Sequence, residues 1–127
     1  MAVVLLIGRI IVGLYFITAG IRHFTHLKMM AGYAGSKGVP MPNIGVPASG
    51  ALIFIGGASV LLGFYPLYGA IAILLFLLPT TFLMHNFWAV QDPAQKMNDM
   101  INFTKNWALI GYTLIMIAVP QPWPYSL

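Results

Sequence analysis

Between Lys37 and Asp92 the sequence contains no Asp, Glu, Lys or Arg. A chain that folds in water coats itself with charged side chains, usually about a quarter of its residues. Here 6% of residues are charged and 60% hydrophobic, too few charges for a water-facing shell, so the chain reads as a membrane protein. A helix needs ~20 apolar residues to cross a hydrocarbon core of ~30 Å. Four stretches fit: about 2–21, 44–64, 67–87 and 102–119. They are long and continuous, without two-residue alternation, and in lipid only helices or closed barrels satisfy every backbone group. The expected fold is all-α: a polytopic membrane protein whose four transmembrane helices form one antiparallel bundle, a single domain over residues 1–127.

Arg9 interrupts the first stretch and is expected to snorkel to the interface. A cleaved signal peptide is the rival reading of that stretch. Its positive region would have to be the α-amino group alone, and its apolar run exceeds the usual length. Cysteine is absent, which excludes disulfides, thiolate metal sites and cysteine nucleophiles.

The connections differ in length. Residues 22–43 form an interfacial link, with a short amphipathic helical turn expected over Leu27 to Tyr33 and breakers at Gly-Ser-Lys-Gly and Pro-x-Pro. "FYPLYG" allows only a tight hairpin. In "WAVQDPAQKMNDMI", Asp92-Pro93 reads as a helix start. The tail, 120–127, has prolines at 120, 122 and 124 and cannot continue a helix. Arg22, Lys28, Lys37, Lys96 and Lys105 belong to the two long links or their edges. By the positive-inside bias those links face the cytoplasm, with both termini outside.

Alternating helix directions bring His85 to the same membrane face as Arg22, His23, His26, Asp92, Asp99 and Lys105. On the last helix Asn98, Asn102, Lys105 and Asn106 follow i, i+4, i+7, i+8 spacing and share a face. A polar face at membrane depth is expensive unless it looks inward. A polar pocket is therefore expected near His85 and Asn86, walled by Phe82, Phe87, Trp88, Phe103 and Trp107.

The stretch "FLMHNFWAVQDPAQKMNDMINFTKNWALIG", with "GLYFITAGIRHF", "GYAGSKGVPMP" and "GGASVLLGFY", resembles the DoxX family of small four-helix membrane proteins over roughly residues 8–118. The most specific part is His85 to Trp88, Asp92-Pro93 and Asn102 to Asn106. The resemblance implies a bundle in a bacterial-type inner membrane, associated with membrane redox systems including a thiosulfate:quinone oxidoreductase, and with oxidative-stress complexes. Two departures stand out. Ile53 occupies the region where relatives often carry an acid before Gly-Gly, and the hairpin lacks the basic residue common among relatives. The family's usual orientation has the N-terminus inside, opposite to the charge count.

His85 and Asn86 have two readings: helix-end side chains bonding loose carbonyls and headgroups, or a site where a histidine near neutral pKa bonds a quinone carbonyl beside an aromatic wall. In the second reading His85, Asn86, Trp88, Asn102, Lys105 and Asn106 hold a quinone or other polar headgroup. Arg22 and His23 meet an anion or lipid headgroup, and Arg22 with Lys105 can hold an anion at a helix N-terminus. His23, His26 and His85 are a possible three-nitrogen metal set, but no carboxylate is obviously placed to orient them, and no intrinsic metal or cofactor is assigned. The tryptophans and tyrosines read as interfacial belt residues. Gly13, Gly20, Gly56, Gly57 and the Ser59/Gly63 pair read as close helix packing. Nothing supplies a nucleophile with its base, a phosphate loop or a nucleic-acid surface.

Three functional classes remain: membrane subunit of a quinone-linked redox system, accessory or assembly subunit of a larger complex without chemistry of its own, and small carrier for a hydrophobic or anionic solute. Expected partners are membrane lipids and other subunits or further copies of the chain.

Overall fold

Helix boundaries fall where prolines and glycines put them. In the computed structural model, which describes residues 1–127, α1 runs Ala2–Thr25, α2 Leu27–Ser36, α3 Pro42–Leu62, α4 Pro66–Met84 and α5 Pro93–Ala118, with a 3-10 turn at Phe87–Ala89. There are no strands. Pro42, Pro66 and Pro93 each sit in the first turn of a helix, where the missing N–H has no intrahelical acceptor to lose. The Asp92 carboxylate accepts from the Gln95 N–H at 3.0 Å and caps α5. The α3–α4 hairpin turns through left-handed Gly63 (φ 70) and Tyr65 (φ 48). Ser59 Oγ steadies it by donating toward the Phe64 and Tyr65 carbonyls, at 2.6 and 3.0 Å.

Three helices, α1, α3 and α4, are long and apolar enough to cross a membrane; the third candidate span continues to Ala89. The fourth expected stretch forms part of a longer element. It lies in α5, one helix of 26 residues, where Asn102, Lys105 and Asn106 sit among the apolar residues and keep it out of the three. Many outward side chains are apolar, among them Ile7, Ile11, Leu14, Ile55, Leu75, Leu114 and Ile115. Such a surface is paid for by lipid rather than water. The protein is thus a multi-pass membrane protein.

Two glycine pairs set the closest helix contact. Gly13 and Gly20 on α1 meet Gly57 and Gly50 on α3. A Cβ on Gly57 would lie 2.8 Å from the Gly13 carbonyl oxygen, and one on Gly20 would lie 2.6 Å from that of Gly50. Both pairs are seven residues apart, two helical turns, so the antiparallel backbones touch twice along one seam. α3 also packs on α4, and α4 on α5. α1 and α5 approach through longer side chains, with Lys105 Nζ 5.9 Å from the centre of the Tyr15 ring. The main core holds Phe16, Ile53, Val60, Ile73, Leu77, Ile110, Met116 and Trp123. A smaller one, Ala31, Ala34 and Val46, seats α2 on α3.

Arg9 departs from expectation. Its side chain is buried, 2% exposed, rather than extended to the interface. The guanidinium donates to the carbonyls of Val60 (3.2 Å), Leu61 (3.0 Å), Tyr125 (3.3 Å) and Pro124, and lies 5.7 Å from the centre of the Trp123 ring. The Leu127 N–H donates to the Leu62 carbonyl at 3.0 Å. The proline-rich tail is therefore folded back across the ends of α1 and α3, because its carbonyls supply what the buried cation needs.

Candidate functional site

Asp99 is the centre of the polar end of the molecule. It lies two turns into α5, seven residues after the capping Asp92, and is fully buried. Its Oδ2 accepts from Lys37 Nζ at 2.9 Å. Its Oδ1 accepts from the Tyr33 hydroxyl at 2.9 Å and lies 3.3 Å from His85 Nδ1. Lys37 Nζ also donates to Asn86 Oδ1 at 2.8 Å. Four segments converge here. α2 brings Tyr33 and, just beyond its last turn, Lys37. His85 ends α4, Asn86 precedes the 3-10 turn, and α5 brings the carboxylate.

Electrostatics follow from this crowding. Burial pushes the Asp99 carboxyl upward. Hydrogen bonds from Lys37, Tyr33 and His85, with the charge of Lys37, outweigh burial and hold it below the usual carboxylate range. An ionised carboxylate only accepts, so His85 Nδ1 carries the proton. Nε2 has no intramolecular partner. Burial, followed by the bond to Asp99 and its charge, pushes the Tyr33 phenol up to about 12.

The residues expected to form the site divide. His85 and Asn86 join the Asp99 cluster. Trp88 does not, but belongs to an aromatic group with Phe82, Phe87, Phe103 and Trp107. Phe103 is its hub, with ring centres 5.3 to 6.2 Å from the other four. Trp88 and Trp107 are 55% and 45% exposed, so the group forms an outer wall rather than a pocket lining. Asn102 Nδ2 bonds back to the Asn98 carbonyl at 3.0 Å, and Lys105 donates to Asn102 Oδ1 at 3.2 Å. Asn106 is buried but makes none of the cluster's bonds.

The expected inward face of α5 is thus rotated. Asn98 and Lys105 are exposed, and the buried positions are Asp99, Asn106, Ile110, Thr113 and Met116. The apolar half of the helix decides the rotation, because Ile110 and Met116 must face the core. Arg22 is exposed. His23 turns away from it, its Nδ1 2.9 Å from the Val46 carbonyl oxygen and 3.0 Å from Ser49 Oγ, and so ties α1 to α3. His26 pairs with its neighbour Thr25. The three histidines share no partner, and no group of three metal-ligating side chains forms.

Sequence reasoning left Tyr33 and Lys37 outside the site and placed Asp99 only on the same membrane face. One signal was available: the chain has two acids. With Asp92 used as a helix cap, Asp99 was the one carboxylate left to need a cation.

A polar cleft of about 490 Å³ opens beside the cluster, lined by Ser36, Lys37, Asn86, Gln91, Asp92 and Gln95 among others. An apolar hollow of about 350 Å³ between α1 and α3 is bounded by Ile21, Phe24, Ala51, Phe54 and Ile55. It contains no polar group. Chemically, the cluster can hold an imidazole in one tautomer and offer its second nitrogen for hydrogen bonding or proton exchange.

A family model, DoxX, matches residues 4–86, more than half of the chain. The chain belongs to the DoxX family. No curated protein and no solved structure matches it. The DoxX match covers α1 to α4 with Tyr33, Lys37, His85 and Asn86, and stops before Asp99. The stretch from Phe87 to Asn106, much of the part that most suggested the family, lies beyond it. Ile53, where the resemblance suggests an acid in DoxX relatives, is fully buried in the apolar core. The buried carboxylate of this chain comes instead from α5.

Proposed function

We propose that this DoxX-family chain is a four-span bundle in a cell inner membrane and serves as the membrane subunit of a quinone-linked redox system. α5 is the fourth span, its polar first half standing at the interface. The face carrying Asp99, Lys37 and Lys96 lies toward the cytoplasm. Arg9, engaged by carbonyls, does not act as a free charge in setting topology.

The observation that carries this reading is the imidazole of His85, oriented through Nδ1 by a buried carboxylate and left with Nε2 unpaired. Such an imidazole can hydrogen-bond the carbonyl of a quinone headgroup and exchange a proton with it. Asn86 and the aromatic wall that begins at the adjacent Phe87 supply polar and flat apolar contacts of the kind such sites use. A separate partner subunit supplies the redox centre. Purification in native lipid with assay of bound quinone tests the reading. His85→Ala should lose most of the quinone, and unchanged quinone content together with unchanged membrane redox activity would sink it.

A second reading, an accessory subunit without chemistry, is favoured by one observation: both acids are already engaged, Asp92 as a cap and Asp99 in a closed cluster. It predicts that chains co-purify with the protein and that their association survives His85→Ala.

A further inference from the structure

Asp99 is shared between two jobs. One oxygen faces His85 and Tyr33, and the other holds Lys37. Tyr33 and Lys37 both travel with α2, a ten-residue helix whose own apolar seat is Ala31 and Ala34 on Val46, flanked by the partly buried Leu27, Met30, Val39 and Met84. A helix this short is marginal without tertiary support. The link that follows turns through left-handed Gly38 (φ 82), where a Cβ would meet nothing within 4 Å, and left-handed Met41 (φ 50). α2 is therefore held over this end of the molecule by that patch, by two bonds to one carboxylate and by a longer one from the Tyr33 hydroxyl to the Met84 carbonyl at 3.4 Å, with an open-sided link beside it. Lys37 strengthens the closure by also reaching Asn86, the neighbour of His85.

We propose that Asp99 is the positioning residue of His85, and that α2 with Lys37 is a lid latched by the same carboxylate, so that orienting the imidazole and admitting a headgroup to it are coupled. This rests on the reading of His85 as a quinone headgroup contact. A neutral ligand enters by displacing α2, not by ion exchange. With α2 displaced, the contact of Asp99 Oδ1 with His85 Nδ1 is the one that remains to hold the ring.

The full chain in lipid nanodiscs tests this with three readouts: amide hydrogen exchange over residues 27–41, ¹⁵N NMR of the His85 ring, and titration with decylubiquinone. Lys37→Met and Tyr33→Phe should each speed exchange in that segment by about tenfold or more, the factor expected for one lost charge-assisted hydrogen bond, and leave the His85 tautomer unchanged. Asp99→Asn should speed exchange and also shift His85 away from the Nδ1-protonated form. Unchanged exchange in folded Lys37→Met and Tyr33→Phe overturns the lid. A wild-type His85 protonated on Nε2, or ring signals unmoved by Asp99→Asn, overturns the positioning role. Because the wild-type tautomer is itself decisive, a poorly folding Asp99→Asn does not rescue the proposal. If exchange and tautomer respond as stated while decylubiquinone fails to bind, the latch stands and the quinone reading falls.

Discussion

Lys37 Nζ lies 2.9 Å from Asp99 Oδ2, joining residues 62 positions apart in a pair whose side chains are 8% and 0% exposed. A buried pair of this kind tolerates loss of one partner badly, because the other is left charged and unsolvated. Lys37→Met and Asp99→Asn should each lower unfolding free energy by about 3–5 kcal/mol. Combining them should recover part of the loss. Denaturant titration in a fixed detergent measures this, and strict additivity of the two single losses would contradict the pairing.

Asp99 and Tyr33 carry opposite pH dependences. The folded Asp99 carboxyl titrates below its ordinary value of 3.8, so its contribution is complete above that value and disappears as pH falls through the still lower folded one. The Tyr33 phenol is raised from 10.0 to about 12, so its contribution is complete below 10.0 and is lost as pH rises toward about 12. The contributions of these two groups should therefore be lost at opposite ends of the pH scale. In Tyr33→Phe the alkaline fall between those values should vanish while the acid fall remains, as read from unfolding midpoints across pH.

The tail is held from within the chain. Arg9→Met removes the donor that binds carbonyls on both sides of the closure, so residues 120–127 should become accessible to limited proteolysis. Trp123, now 3% exposed, should shift its fluorescence to the red. Arg9→Lys should behave like Arg9→Met, because one ammonium cannot span four carbonyls as the guanidinium fork does. A protected tail in both variants would show that Trp123 packing alone suffices.

The glycine seam between α1 and α3 predicts a contrast. Gly57→Ala places a methyl group 2.8 Å from the Gly13 carbonyl oxygen and should cost about 1–3 kcal/mol by forcing the backbones apart. Gly32→Ala, on exposed α2 with nothing within 4 Å, should be neutral or stabilise by about 0.4–1 kcal/mol. Thermal unfolding in the same detergent distinguishes the two, and equal effects would argue against a close seam.

Much of the architecture could be read from residue order alone, because helix formation in an apolar medium depends on local facts. Long apolar runs located α1, α3 and α4, Asp92-Pro93 marked the start of α5, and the tyrosine-proline hairpin could only be tight. His85 and Asn86 were recognisable because polar side chains at the end of an oily run need partners. The partners were not recognisable. Whether Asp99 or Asn98 faces inward depends on Ile110 and Met116 seeking the core three to five turns later, and spacing among polar residues does not contain that preference. Lys37 looked like one more interfacial cation until α2 folded across the ends of α4 and α5, and Arg9 looked like a snorkelling side chain until the tail brought carbonyls to it. Each of these is a charge in a low-dielectric interior. Its energy is set by which groups lie within about 3 Å, and only the packed chain brings those groups together.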